Sequence, residues 1–217
     1  MLNSSDQLKH VLIGFVGSDK AEIIHYISRV LYQLKQRVLL VDYSETRALS
    51  YSVPNKEEIS LFDYRGIDVT TKTNIPISNY NFVLIDFGFH LSHSLLPSCN
   101  TIVIVSDLQI HNVKRLMPLK IRKGQARYLF IKDIVKGKIG SKYICNQLSH
   151  LALNQLNCVE FYYDEKDLKT MLNCEYNQIF TFKRISWEQK QAIVTLLSPY
   201  FEIKEINKSF KLAERGK

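Results

Sequence analysis

Short apolar runs alternate with amphipathic stretches along the chain. Six of these runs are continuous rather than alternating, as expected for strands buried on both faces of a sheet. They lie at residues 11–16, 37–42, 81–86, 101–105, 127–131 and 158–163. Residues 19–36 instead carry apolar side chains at three- and four-residue spacing, which predicts a helix that faces the core.

Further helical patterns follow the later strands. They are predicted around residues 110–119, 141–153 and 165–172, from Ser186 onward, and within the charged tail 202–217. Pro118 should shorten or kink the first of these, and Ser186 to Gln189 has the form of a capping box. Periodicity is lost over residues 43–80, where we expect a long connection with one short helix near residues 56–62.

The alternation of strands and helices predicts an α/β fold, with a doubly wound, mostly parallel sheet and helices on both faces. A chain of 217 residues suits one domain, 1–217, with residues 200–217 as a candidate C-terminal helical tail. Ligands of such sheets bind beyond the carboxyl ends of the strands. Asp42, Asp86 and Asp107 end or follow predicted strands, so they should converge on one crevice with residues 14–21.

Residues 14–21 stand between the first strand and the first helix, which is the place of a phosphate-binding loop. Gly14 and Lys20 match the first glycine and the lysine of the pattern G-x-x-x-x-G-K followed by Ser or Thr. Asp19 and Ala21 replace the second glycine and the hydroxyl residue. The stretch therefore has the position of a phosphate loop but lacks two of its four defining residues.

A phosphate would bind here through backbone amides at the helix N-terminus and through the lysine. An acid at the end of a neighbouring strand would hold Mg²⁺ directly or through water. The candidate, degenerate nucleotide-binding set is Gly14, Gly17, Ser18, Asp19, Lys20, Ala21, Asp42 and Asp86. Two structural alternatives remain: a glycine-containing turn that binds no nucleotide, and an ion pair between Lys20 and Asp86.

Residues 11–45 and 82–88 resemble the MinD/ParA-type P-loop ATPases. In that family the deviant loop is K-G-G-x-G-K followed by Ser or Thr, with acids at the positions of Asp42 and Asp86. Residues 101–107 and 161–164 stand where the family has its fourth strand and its base-recognition region. Within the family the chain is most similar to the CpaE/TadZ-like branch found beside pilus and secretion machinery, partly through residues 61–68.

The departures from this pattern predict a pseudo-ATPase. Phe15 stands where the family has the lysine that reaches the nucleotide of the partner subunit, Asp19 replaces a phosphate-wrapping glycine, and Ala21 lacks the hydroxyl that ligates Mg²⁺. We expect weak binding of ATP and Mg²⁺ or none, and no meaningful hydrolysis. Asp19 should instead cap the following helix.

The net charge of the whole chain is +8, and the positive charge is concentrated in its second half. Residues 1–110 carry 9 Lys and Arg against 11 Asp and Glu, and residues 111–217 carry 20 against 10. The candidate basic surface is Lys114, Arg115, Lys120, Arg122 and Lys123. It would suit nucleic acid, anionic lipid or an acidic protein, and the alternative is a set of solvated side chains.

Other features narrow the location and the chemistry. No apolar run approaches the length of about 18 to 20 residues that a membrane span needs, and the first residues do not resemble a signal peptide, so a cytoplasmic location is predicted. The four cysteines form no C-x-x-C pair, and His90 and His93 have no evident third ligand. No metal site is therefore predicted apart from Mg²⁺ at Asp86 or Asp42.

The tail has an apolar stripe of Ile203, Ile206 and Phe210 beside several lysines. Such a stripe is typical of a helix that lies on a membrane surface, but packing against the domain is the favoured interpretation. Peripheral contact with the inner face of the membrane is the alternative.

Two functional hypotheses follow. The first is a non-catalytic MinD/ParA-like scaffold or regulator that positions a cytoplasmic assembly such as pilus or secretion machinery. The resemblance implies a protein partner and a face-to-face homodimer. The second is an active ParA-like ATPase whose basic stretch binds DNA non-specifically in partitioning.

Overall fold

The computed structural model describes residues 10–54, 61–72, 76–177 and 182–216. Its centre is an eight-stranded sheet of order β3-β4-β2-β5-β1-β6-β7-β8, in which every neighbouring pair is parallel except β3 and β4. The strands are β1 Val11–Gly17, β2 Val38–Asp42, β3 Phe62–Tyr64, β4 Ile67–Thr70, β5 Phe82–Asp86, β6 Thr101–Ser106, β7 Ala126–Ile134 and β8 Cys158–Tyr162. The six predicted strands are all present.

Helices cover both faces of this sheet. They are α1 Ala21–Gln33, α2 Ala48–Tyr51, α3 Ile110–Leu116, α4 Ser141–Gln147, α5 Glu165–Asn177, α6 Trp187–Leu197 and α7 Ile203–Ala213. One buried cluster joins the sheet to α1, α6 and α7, and a second joins it to α3 and α4. Successive residues of β5 fall alternately in the two clusters, as the period of a strand requires. The predicted doubly wound, mostly parallel α/β fold is confirmed.

The long connection after β2 differs from the prediction. It contains the short helix α2 and the hairpin β3–β4, neither of which was expected. The helix predicted near residues 56–62 falls largely outside the described residues, and Phe62 begins a strand. Arg65 and Gly66 turn the hairpin with φ values of 55° and 81°, as in the tight turn that usually carries Asn-Gly or Asp-Gly. An arginine at the first of these positions does not indicate a hairpin turn in the sequence.

The C-terminal helix α7 packs against α1. Ile206 and Phe210 of its apolar stripe are buried in the core, whereas Ile203 is 56% exposed. The favoured interpretation of the tail, packing against the domain, is therefore confirmed for Ile206 and Phe210 but not for Ile203. None of the described helices is long and apolar enough to cross a membrane.

Candidate functional site

The stretch that resembles a phosphate loop is mostly strand. β1 continues through Gly17 and pairs with β5 on one side and β6 on the other, with Phe15 opposite Asp86. The Phe15 side chain is fully buried in the core cluster that includes α1. Three residues, 18–20, then link the strand to the first residue of α1. The element is a tight corner rather than an open loop.

The two glycines of this corner are required by close packing. A Cβ atom on Gly14 would lie 2.9 Å from the Cys99 sulfur and from a Phe87 ring carbon. Gly17 has a φ of +107°, and a Cβ atom there would lie 2.0 Å from the carbonyl oxygen of Val105. Since Asp19 does not have positive φ, the conformation that favours glycine falls on Gly17 instead.

Two backbone amides of the corner are already used within the fold. The Gly17 N–H donates to the carbonyl oxygen of Gly88 at 2.7 Å, and the Ser18 N–H donates to that of Val105 at 2.9 Å. A phosphate cradle works because such amides point at the ligand. In this arrangement they point at neighbouring main-chain segments.

Lys20 is engaged in the same way. Its side chain is buried, and its ammonium group lies 2.8 Å from Asp86 Oδ1. It also donates to the carbonyl oxygens of Gly17 and Ser18 at 3.0 and 3.1 Å. The predicted alternative of an ion pair between Lys20 and Asp86 is confirmed. Burial raises the pKa of Asp86, and Lys20 opposes that shift.

Asp42 lies beside Asp86 in the sheet and is fully buried. Its Oδ1 accepts from the N–H and hydroxyl of Ser44 at 3.0 and 2.6 Å. Its Oδ2 accepts from the N–H and hydroxyl of Ser50 at 2.8 and 2.9 Å. Both oxygens are satisfied, so a metal ion at Asp42 would have to displace these donors.

Asp19 and Asp107 accept hydrogen bonds from main-chain N–H groups two residues further on, where helices begin, although neither residue is the N-cap of its helix. Asp19 Oδ1 accepts from the N–H of Ala21, the first residue of α1, at 3.3 Å. Asp107 accepts from the N–H of Gln109 at 2.8 Å and from the side chain of Asn112 at 2.7 Å, where α3 begins. The convergence expected at the carboxyl edge is present, and its acids serve structural contacts.

The five residues of the candidate basic surface are exposed on α3 and on the connection to β7. Arg115 lies 3.5 Å from the centre of the Phe89 ring and 3.6 Å from a Glu45 carboxylate oxygen. Within the described residues, none of the other four forms an ion pair. The free positive charge is therefore concentrated at Lys114 and on the connection 120–123.

The two histidines do not form a metal centre. His93 stacks on the Tyr43 ring at 4.7 Å between ring centres and accepts the Leu95 N–H through Nδ1 at 3.2 Å. Among the described residues there is no group of three side chains placed to hold a metal ion.

A second cluster was not found from the sequence. Lys132, which lies within the base-rich stretch 114–142, is mostly buried; it pairs with Glu22 and donates to the Asp19 carbonyl oxygen at 2.9 Å. Burial raises the pKa of Glu22, and Lys132 counteracts the shift. This pair borders a cavity of about 210 Å³ beyond the carboxyl ends of β7 and β8. The only sequence signal was that residues 161–164 stand where the resembled family has its base-recognition region.

Solved structures of ParA and MinD proteins share this fold. A ParA family ATPase from Chlorobium tepidum TLS matches with a TM-score of 0.61 and 15% identity, over 94% of this chain and 98% of that one. A chain of the MinC:MinD cell division protein complex of Aquifex aeolicus matches with a TM-score of 0.58 and 14% identity, over 91% and 95%. A plasmid partition protein from Borrelia burgdorferi matches with a TM-score of 0.54 and 12% identity, over 88% and 99%.

At these identities the likeness concerns the fold. No protein-family model matches the sequence, and a search of curated proteins found no match. The chain has the fold of the ParA and MinD P-loop ATPases.

Proposed function

We propose that this chain is a catalytically degenerate MinD/ParA-like protein, which acts as a scaffold or regulator instead of hydrolysing ATP. The observation that carries the proposal is the closed corner: Lys20 is buried against Asp86, and the Gly17 and Ser18 amides are bonded to main-chain carbonyls. Three of the groups that would contact a phosphate therefore have partners inside the fold, whereas the buried Ser18 hydroxyl has none among the described residues.

Opening this corner for a nucleotide would be costly. Breaking a buried ion pair leaves an uncompensated charge, at a cost of about 3–5 kcal/mol. The phosphates would also meet the acids Asp19 and Glu22 next to the corner, and a like charge raises the free energy of a bound anion. A corner of this kind favours a fixed structural role over a nucleotide switch.

The proposed partner is a protein of a cytoplasmic assembly, such as pilus or secretion machinery. This part of the proposal rests on the resemblance of residues 61–68 to the CpaE/TadZ-like branch. Those residues form the β3–β4 hairpin at one edge of the sheet, where an added strand or loop of a partner has access. The resemblance also suggests a face-to-face homodimer and one domain, 1–217, with the tail packed onto it.

Thermal unfolding with and without MgATP tests the nucleotide part of the proposal. A ligand at one hundred times its dissociation constant adds about 2.7 kcal/mol to the stability, which raises Tm by roughly 5–11 °C for a chain of this size. We expect no shift at 5 mM MgATP, a concentration that would give this shift if the dissociation constant were about 50 µM.

A shift alone would not locate the nucleotide, because ATP can bind weakly to any positive surface. The control is the triple variant Lys120→Ala, Arg122→Ala, Lys123→Ala, which leaves the corner intact. A shift that disappears in this variant belongs to the basic surface and leaves the proposal standing. A shift that persists, together with steady release of phosphate, would refute it.

Non-specific DNA binding is the second candidate function, and the exposure of the basic connection supports it. Lys120, Arg122 and Lys123 are exposed and form no ion pair among the described residues. Their contacts with DNA would be made to phosphates, so affinity should fall steeply with salt.

Fluorescence anisotropy with a random duplex tests this candidate. If the connection 120–123 contacts DNA, the triple variant should lose most of the affinity and flatten its dependence on salt. The matched control removes the same charge from the exposed face of α7, with Lys204→Ala, Lys208→Ala and Lys211→Ala. An equal loss in both variants would indicate net charge alone and would contradict a defined DNA surface.

A further inference from the structure

We propose that the cavity beyond the carboxyl ends of β7 and β8 binds an organic cation, through an alkylammonium or guanidinium group. The cavity has a volume of about 210 Å³, and its wall combines the aromatic residues 161–163 with acids of α1, α5 and the adjoining loops. The cavity shares Asp19 with the closed corner, but the inference does not rest on the proposed function, because cation binding there requires neither a loss of ATP hydrolysis nor the basic surface.

The cavity is acidic although the chain is basic. Among the described residues, five carboxylates line it against one cation, Lys132, in a protein with a net charge of +8. These acids are Asp19, Glu22, Asp133, Asp164 and Asp167. Three helices begin beside the cavity, and each N-terminus contributes about half a positive charge. That offsets less than half of the formal charge of −4, so the cavity favours a cation.

Two buried acceptors of the cavity wall lack a donor. Glu22 Oε2 and Gln189 Oε1 have no hydrogen-bond partner within the described residues, and both side chains are more than nine-tenths buried. Lys132 does not serve them, because it donates to Glu22 Oε1 and to the Asp19 carbonyl oxygen. An unsatisfied buried acceptor costs about 1–3 kcal/mol. Neither oxygen is accessible in this conformation, so the side chain must turn toward the cavity before a ligand N–H group can satisfy it.

The acids of the wall are held in place by the fold. Asp164 Oδ1 accepts the Lys166 N–H at 2.7 Å at the start of α5, and Asp167 Oδ1 accepts the Ser186 N–H at 2.6 Å before α6. Each of these bonds involves one carboxylate oxygen. The carboxylates are therefore fixed before a ligand arrives, which reduces the entropy lost on binding.

The aromatic part of the wall selects an organic cation over a metal ion. Tyr162 and Tyr163 are 51% and 56% exposed at the cavity, where they can contact an alkyl chain or the face of a guanidinium group. The described residues contain no group of three ligands with metal-binding geometry. A lysine or arginine side chain of a partner peptide and a free polyamine share the required chemistry.

Isothermal titration of the full chain tests the proposal with small probes. We expect N-butylguanidinium and n-butylammonium to bind, and the neutral N-butylurea, which has nearly the shape of the guanidinium probe, to bind at least about tenfold more weakly. Absence of binding by both cations at 10 mM (about two hundred times a 50 µM dissociation constant), or equal binding of the urea, would overturn the proposal.

Substitution of Gln189 locates the site. Gln189→Glu places a carboxylate of nearly the same shape at the unsatisfied acceptor, so the cations should bind about fivefold tighter or more. Gln189→Leu should weaken binding by a similar factor. The matched control is Glu165→Gln, an exposed acid at the start of α5 that does not line the cavity.

The pattern across the variants decides between site binding and general attraction. Opposite changes in the two Gln189 variants with no change in the control support the cavity. Equal affinities in all four proteins, or a loss in the Glu165→Gln control as large as that in Gln189→Leu, would contradict it. Spermidine and the peptide acetyl-Gly-Arg-Gly-amide then identify the source, since the better binder indicates a free polyamine or a partner's side chain.

Discussion

Replacing Lys20 with methionine should destabilise the fold at neutral pH. Methionine has a similar length, so the packing of the corner is largely kept, but Asp86 loses its cation. Both side chains are only 2% exposed, and the ammonium nitrogen lies 2.8 Å from Asp86 Oδ1. Removal of one partner of a buried pair costs about 3–5 kcal/mol, because the other charge remains buried.

The electrostatic part of this cost has a ceiling that depends on pH. In the variant Asp86 can avoid a buried charge by binding a proton. Protonation of a carboxyl group whose unfolded pKa is about 3.9 costs about 1.36 kcal/mol for each pH unit above that value. The ceiling is then about 4 kcal/mol at pH 7 and about 1.5 kcal/mol at pH 5. The penalty of the substitution should shrink as the pH falls, since the folded pKa of Asp86 is raised further without Lys20.

Urea unfolding at pH 7, 6 and 5 measures this penalty. The double variant Lys20→Met, Asp86→Asn should recover much of the loss at pH 7, because the buried charge is gone and the amide oxygen can still accept the Gly88 N–H. The matched control is Lys190→Met, which breaks a pair with Glu214 whose side chains are 34% and 19% exposed, and it should cost less than about 1 kcal/mol. A Lys20→Met penalty below about 1 kcal/mol at pH 7, or one independent of pH, would refute a structural role for the pair.

Three further predictions concern stability. Gly17→Ala should lower the free energy of unfolding by more than about 2 kcal/mol or prevent folding, since φ is +107° and the new Cβ would meet a carbonyl oxygen at 2.0 Å. The control in urea unfolding is Gly140→Ala, whose new Cβ would have nothing within 4 Å. Equal losses of stability in the two variants would contradict the argument. Burial lowers the pKa of His25 to about 3, so the unfolded chain binds a proton first as the pH falls through about 6.5. Stability should therefore drop by about 2 kcal/mol from pH 7.5 to 5.0 through this group, a decrease that His25→Gln should lack. Phe210→Ala should lower the free energy of unfolding, measured by calorimetry, by about 3–5 kcal/mol. Ile203→Ala should lower it much less, because of the two side chains only that of Phe210 is buried. Similar losses in the two variants would show that α7 does not pack as described.

The fold could be predicted because its strands are buried on both faces. Continuous apolar runs such as residues 81–86 have few interpretations other than central parallel strands, and the helix α1 follows from spacing alone. The β3–β4 hairpin was not predicted from the sequence, because its turn places Arg65 at positive φ, where Asn, Asp or Gly is usual. Its strands are also short, and β3 lies at the edge of the sheet, where apolar alternation is weak.

The contacts of the site could be predicted only in part. The position of Asp42 and Asp86 at the carboxyl edge follows from the strands that they end. The partners of the Gly17 and Ser18 amides do not follow, because Gly88 and Val105 reach them through the register of β5 and β6 with β1. The Lys132–Glu22 pair joins residues 110 positions apart, and sequence order gives no sign of it.

The closed corner and the acidic cavity favour each other. Asp19 and Glu22 stand in or just before the first turn of α1, so a phosphate held at the corner would lie next to both carboxylates. With Lys20 bound to Asp86, no cation of the corner remains to offset that repulsion, whereas Lys132 offsets only part of it from the cavity side. A chain that holds no phosphate there is free of this conflict, and its acids can instead bond the Ala21 N–H at the start of α1 and attract a cation. The same charges that weaken a nucleotide site therefore support the neighbouring cation site, which shares Asp19 with the corner.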